Sequence, residues 1–244
     1  MGLYFYPPSQ PSSAGEEGVS ANSLLTCGGG VGWRGLVLFM LSVLLSSCVS
    51  TSQTQIQKDQ AVRLNTELGM RYFSLNQNTL AETKLEKALS LDPNSPEAND
   101  AMGYFLWKTG QIDQANFYYQ KAYSLAPKDP EVLNARGVYL CETGQSKPGI
   151  EAFISAAKTP GFLALGLTYQ NAGDCAYLAG DQNSAIEYFE QALKSDPLLP
   201  LADLRLAGLY KTQNNLPKAK YYLDRFNHIA DPTPESREIA KKLA

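Results

Sequence analysis

Small residues recur along this chain at a nearly constant interval, and that interval constrains the fold more than any other feature. Gly69, Gly103, Gly137 and Gly173 are separated by 34, 34 and 36 residues, and Ala207 follows 34 residues later. A second series runs Ala81, Ala115, Gly149, Ala185 and Ala219. A third runs Ala88, Ala122, Ala156 and Ala192, with Phe226 in the fifth place. Side chains of one carbon or none let neighbouring helices approach where bulky ones would clash. Between the first and second series stand Asn76, Gly110, Gly144, Gly180 and Asn214. Gly and Asn accept the left-handed conformation that ends a helix. Pro93, Pro127 and Pro197 close units one, two and four, while Pro148 and Pro217 fall in the first turn of a second helix, where a missing N–H costs little. Each unit therefore reads as helix, tight turn, helix. Five units held in phase predict stacking, because an ordinary helical bundle requires no phase.

Unit length and pattern resemble the tetratricopeptide repeat (TPR), including its aromatic positions at Tyr72, Tyr119, Phe153 and Phe189. The resemblance implies an all-α fold: a right-handed superhelical solenoid of antiparallel helix pairs, with five full repeats over residues 61–244. A last helix, ESREIAKKLA at 235–244, presents Lys241 and Lys242 and reads as the solubilising cap that such arrays need. Unit three departs from the pattern. It closes with Lys158-Thr159-Pro160-Gly161-Phe162, and the step to the next glycine is the long one, which makes this junction the least regular.

The first 47 residues read as a leader outside the fold. Residues 36–45, LVLFMLSVLL, follow Arg34 as a short apolar run with a basic flank, the pattern of a signal-peptide core rather than of a bilayer span. Leu45-Ser46-Ser47-Cys48 then resembles the lipobox of bacterial lipoproteins, in which small residues admit the peptidase and the cysteine thiol receives the lipid. By that resemblance Cys48 is acylated and anchors the chain, several acyl chains sufficing for stable attachment. The next residue is Val49 rather than the Asp that holds such proteins at the inner membrane, so the expected address is the periplasmic face of the outer membrane. A plain secreted protein and an uncleaved anchor are the alternatives. Residues 1–30 are Pro-, Ser- and Gly-rich and lack a basic stretch, which suggests that translation starts at Val31, a genuine long, disordered extension being the alternative. A peptide from residues 1–30 found in cells by mass spectrometry would refute that start. Residues 48–60 carry the lipidated cysteine and a polar, aperiodic stretch expected to be a flexible tether.

Little else suggests chemistry. A net charge of −3 over 244 residues leaves no basic stripe for nucleic acid. The single histidine, His228, has no Cys/His neighbours in sequence, so no metal site is expected, and no phosphate loop, dinucleotide fingerprint or nucleophile elbow occurs. The expectation is a protein without cofactor or catalysis, monomeric apart from its lipid. Two cysteines remain in the repeats. Cys141 and Cys175 fall at positions 12 and 10 of the first helices of units three and four, close to one level on adjacent parallel helices. They are in reach of a disulfide in an oxidising periplasm, or are two buried thiols. In TPR arrays the first helix of each pair lines the concave face. Positions 9 and 12 supply Met70, Phe73, Tyr104, Trp107 and Tyr177 as candidate anchors of a protein-binding groove, unless they are half-buried core residues. Arg63, Glu97, Asp100, Asn134 and Gln170 are expected around them.

Lipobox, polar tether and repeats together resemble the TPR lipoproteins of type IV pilus biogenesis, the PilF/PilW type or pilotins, over residues 36–244. The most specific segments are LNARGVYLCETGQ at 133–145 and NAGDCAYLAG at 171–180, since some members carry a cysteine pair at these places. The resemblance implies a role in pilus biogenesis and stability, in which the groove holds the outer-membrane secretin or another pilus component and assists its localisation and assembly. A periplasmic TPR scaffold lipoprotein that recruits cell-wall enzymes is the alternative.

Overall fold

The computed structural model describes the backbone of residues 33–243 and the side-chain surroundings from residue 53 onward. Residues 1–32, the first part of the expected 1–47 leader, and the side chain of Cys48 lie outside the described residues. The described residues form eleven helices and no strand. They pair in chain order: α1 (Trp33–Ser74) with α2 (Asn78–Leu91), α3 (Pro96–Lys108) with α4 (Ile112–Leu125), α5 (Pro130–Glu142) with α6 (Ser146–Ala157), α7 (Leu165–Leu178) with α8 (Gln182–Ser195), and α9 (Pro200–Thr212) with α10 (Leu216–Ile229), followed by α11 (Pro234–Leu243). Two compact units are present, one ending at Ala98 and the other beginning at Asn99.

The turn residues act as their chemistry requires. Asn76 and Asn214 have φ of 57°, and Gly110, Gly144 and Gly180 have φ of 81° to 88°. At each, the following N–H reaches back into the last turn of the preceding helix: Gln77 N to Tyr72 O, Gln111 N to Leu106 O, Gln145 N to Leu140 O, Asp181 N to Ala176 O and Asn215 N to Tyr210 O, at 2.7–2.9 Å. This is the Schellman closure, which satisfies carbonyls that a helix end otherwise leaves open. Helix, left-handed residue and next helix are thus set locally, five times.

In the unit ending at Ala98, Val62, Ala88 and Ala98 form a buried apolar cluster, and Thr66 Oγ1 returns its hydrogen bond to Val62 O. The expectation of a flexible tether at 49–60 is corrected here: these residues continue α1. The physical reason is local. No Pro or Gly stands between Leu36 and Leu68, so nothing in the sequence stops a helix that α2 holds at its other end. Residues 53–60 are nevertheless exposed along their length, a solvated arm rather than core. No helix among the described residues is long and apolar enough to cross a membrane.

In the unit beginning at Asn99, the pairs α3–α4, α5–α6 and α7–α8 each pack an aromatic ring onto a glycine, while α9–α10 has Ala207 and Leu223 at the same places. A Cβ on Gly137 would stand 2.7 Å from the Phe153 ring, and one on Gly173 would stand 2.7 Å from the Phe189 ring. Both rings are fully buried. The recurring glycine is therefore a space requirement for the ring sixteen residues later. Successive first helices lie parallel and in register. Thr168 donates to Asn134 Oδ1 at 3.1 Å and Cys141 is bridged to Cys175, both at a separation of 34 residues.

Candidate functional site

The five candidate groove residues occupy three different settings. Met70 and Phe73, on α1, are half-buried within the unit ending at Ala98. Tyr104 and Trp107, on α3, meet edge to face with ring centroids 5.9 Å apart. Trp107 in turn meets Tyr139 of α5 edge-on at 5.8 Å, and Tyr139 stacks on Tyr119 of α4 at 4.4 Å. Lys108 Nζ lies 3.6 Å from the Trp107 ring centroid and 5.7 Å from that of Tyr104. These contacts leave Trp107 only 9 % exposed. The tryptophan is thus largely a core residue, and the half-buried Tyr104 with the Lys108 ammonium faces outward. Cation and ring together form a platform suited to an apolar or aromatic side chain. Burial, and second the Glu142 carboxylate, push the Tyr104 phenol above its usual range, so it is a neutral hydroxyl at physiological pH.

Tyr177 stands apart from that ladder. It lies on α7 at the rim of a cavity of about 220 Å³, whose lining includes Gln182, Arg205, Lys211, Glu235 and Glu238. Arg205 is 7 % exposed and sits 5.7 Å from the Tyr177 ring centroid. Its Nε donates to Asp174 Oδ1 at 3.1 Å and its Nη1 to Glu235 Oε1 at 3.2 Å. Burial raises the Asp174 carboxyl, and the Arg205 charge beside it offsets part of that rise. A second ion pair joins Arg225 Nε to Asp203 Oδ1 at 2.9 Å, tying α10 to α9. Burial likewise raises Asp203 against the opposing pull of Arg225. The cavity offers a phenol ring, two cations and two carboxylates, a lining fit for polar recognition of a peptide segment. Sequence reasoning missed Arg205, Lys211, Glu235 and Glu238. Only Arg205 carried a signal, as one of two charges, with Asp203, set among the apolar residues of α9.

Of the polar residues expected around the groove, Asn134 and Gln170 are instead buried. Asn134 is occupied by Thr168 of the neighbouring first helix rather than by solvent. Arg63 lies exposed in an i,i+4 pair with Glu67 at 3.6 Å, and Glu97 and Asp100 are half-buried.

Cys141 and Cys175 are joined by a disulfide with Cα atoms 5.6 Å apart. The local sequence is shaped around it. A Cβ at position 149 would collide with Cys141 Sγ, so Gly149 stands where the other units have Ala81, Ala115, Ala185 and Ala219. Cys48 lies on the backbone of α1, and its side chain is outside the described residues. Among the described residues no three metal-ligating side chains cluster.

Residues 62–95, 96–129 and 167–197 match the tetratricopeptide repeat family. The chain is 26 % identical over 195 residues to the type IV pilus assembly protein PilF of Pseudomonas aeruginosa, covering 78 % of this chain and 77 % of that protein. The solved structure of Pseudomonas aeruginosa PilF superposes with a TM-score of 0.72 at 24 % identity, covering 77 % of this chain and 85 % of that one. PilW, described as a widely conserved type IV pilus biogenesis factor, superposes at 0.69 and 24 % identity, covering 75 % and 86 %. At these identities the two superpositions speak for the fold.

Proposed function

We propose that this chain, an all-α tetratricopeptide-repeat protein homologous to PilF and PilW, serves type IV pilus biogenesis as a non-catalytic outer-membrane lipoprotein. In this reading acylated Cys48 supplies the address at the periplasmic face. The first-helix faces hold a pilus component, foremost the secretin, and assist its localisation and assembly. The observation that carries the reading is the match to PilF, which extends over more than three quarters of both chains and is not confined to one repeat. The face fits the role: the Tyr104–Lys108 platform and the Tyr177–Arg205 cavity offer apolar and polar anchoring, with rings that lose little freedom on binding. Binding of this kind needs a rigid scaffold and an anchor, and no reacting group.

The test is an immunoblot for detergent-resistant secretin multimers in wild type, a deletion and a Cys48→Ser strain. The reading expects multimers to vanish in the deletion, and monomers to accumulate or mislocalise in the Cys48→Ser strain. Normal multimers in all three would end the secretin role. A change of cell shape in place of lost twitching would point to a scaffold for cell-wall enzymes.

A further inference from the structure

The irregular junction between repeats three and four is not explained by partner binding along the first helices. Its extra length makes a turn, Thr159-Pro160-Gly161-Phe162, with Phe162 N donating to Thr159 O at 3.3 Å and Gly161 at φ 80°. Pro-Gly at the two central places is the signature of a type II turn, which requires a positive φ at the second. The turn delivers Phe162, half-buried, and Leu163, which is 96 % exposed. Leu198, in the next inter-repeat loop, is 70 % exposed.

These leucines share one edge. Leu163 stands two residues before α7 and Leu198 two residues before α9. The two helices run parallel: Arg205 reaches Asp174, and a Cβ on Gly166 would stand 2.7 Å from Asp196 Cβ and 3.1 Å from Leu199 Cδ1. Lys128 holds the same place before α5. Lys158 caps the end of α6, and Lys194 lies in the last turn of α8. All three lysines are exposed, and among the described residues none is in an ion pair. The nearby acids are turned toward their own backbone: Asp129 Oδ1 accepts from Glu131 N and Val132 N, and Asp196 Oδ1 accepts from Leu198 N. Glu131 is also exposed at this edge, as is Asp231 in the following inter-repeat loop.

We propose that this edge, with Phe162, Leu163 and Leu198 as apolar tips and Lys128, Lys158 and Lys194 around them, rests in the headgroup region of an anionic phospholipid surface. Isolated apolar tips ringed by cations suit a lipid interface, where the tips enter the acyl boundary and the ammonium groups stay among phosphates. A protein groove would instead ask for a contiguous patch with a polar rim. The inference rests on the lipid-anchored reading above only for the presence of a membrane. A chain held by one end gains from a second contact that fixes its orientation.

The test places a reporter at the tips of the full-length chain. Leu163→Trp, Leu198→Trp and a control, Gln213→Trp at the far end of α9, are bound to phosphatidylethanolamine/phosphatidylglycerol vesicles carrying brominated acyl chains. Emission is compared with that of wild type, whose own tryptophans set the baseline. Leu163→Trp and Leu198→Trp are expected to shift to the blue and to lose about half of the added emission to bromine, while Gln213→Trp stays water-like. Equal, weak quenching at all three positions overturns the proposal, even where the chain sediments with vesicles and the anchor reading stands. Quenching that persists in a Cys48→Ser background upholds the edge where the anchor fails. Cross-linking of Leu163 to a protein in cells, without quenching in vesicles, also overturns it and assigns the edge to a protein partner.

Discussion

The junction of α5 with α7 and the junction of α7 with α9 and α11 are built from the same kind of helix pair and are held by different means. At the first, a covalent bridge between Cys141 and Cys175 stands beside the Thr168–Asn134 hydrogen bond. At the second, a charge chain runs from Asp174 through Arg205 to Glu235, with Asp203–Arg225 alongside. Within pairs the packing is conserved by physics: Phe153 fits Gly137 as Phe189 fits Gly173. Between pairs the chain has freedom, and it departs from the repeat pattern where it substitutes a specific tie for generic packing. A disulfide acts mainly by restricting the unfolded chain, whereas an ion pair acts in the folded state alone. The two junctions should therefore answer to different perturbations.

The largest effect is expected at the ionic junction. Arg205→Ala leaves the Asp174 carboxylate buried without its partner, a change that typically costs about 3–5 kcal/mol. Asp174 has only 10 % of its side chain exposed, so little solvent screening relieves it. Glu235, at 46 %, can rehydrate and adds little. The measurement is the urea midpoint, with hydrogen exchange over α11. Adding Asp174→Ala should recover most of the loss. A single variant as stable as wild type would show that α11 is held by Ile239 and its apolar neighbours alone.

The covalent junction comes next. Cys141→Ala with Cys175→Ala reopens a loop of 34 residues, worth about 3–4 kcal/mol on the chain-entropy model. Reductant should reproduce the loss in wild type and leave the ionic junction untouched. An Arg205→Ala protein should show the same reductant sensitivity as wild type if the two ties act independently. Reductant that shifts the urea midpoint by no more in wild type than in the double alanine variant would remove the bridge from the account.

Much of this could be read before any coordinates, for a reason specific to repeats. The phase of Gly69, Gly103, Gly137 and Gly173 reports a steric demand that recurs, and Asn76 to Asn214 report a backbone conformation that recurs. Both survive in a single sequence because the chain supplies its own five copies. The Cys141–Cys175 pairing was open on register alone, since helix position gives level but not separation. Three features were not legible. Trp107 occupies a groove position, yet Lys108 and Tyr139 close over it, and their reach depends on side-chain rotamers. Asn134 and Gln170 look solvent-facing by position but are buried, and Asn134 finds a polar partner 34 residues away on the next first helix. Arg205 is paired to residues 31 and 30 positions distant, a match that periodicity does not encode.

The smallest expected effect separates the two kinds of carboxylate in this unit, and its sign is the test. Burial raises Asp174 above the ordinary carboxylate range, so its ionisation works against the fold. Its contribution is most favourable at pH values below the unfolded pKa and declines as pH rises through the folded one. Asp181, exposed at the start of α8, behaves oppositely. Its side chain accepts from Ser184 Oγ and Ser184 N, which lowers it. That contribution is present above the unfolded pKa and is lost as pH falls through the folded one. Melting temperatures recorded from pH 2 to 7 should therefore give two slopes, Asp181 acting at the acid end of the range and Asp174 above it. Wild type minus Asp174→Asn should fall with rising pH, and wild type minus Asp181→Asn should rise. The slope carries the information rather than the offset, because Arg205 and Glu235 are common to wild type and Asp174→Asn. If both slopes rise, the Arg205 guanidinium outweighs burial at Asp174. The C-terminal junction would then be held by net electrostatic attraction and would be expected to loosen in acid, where the disulfide junction would not.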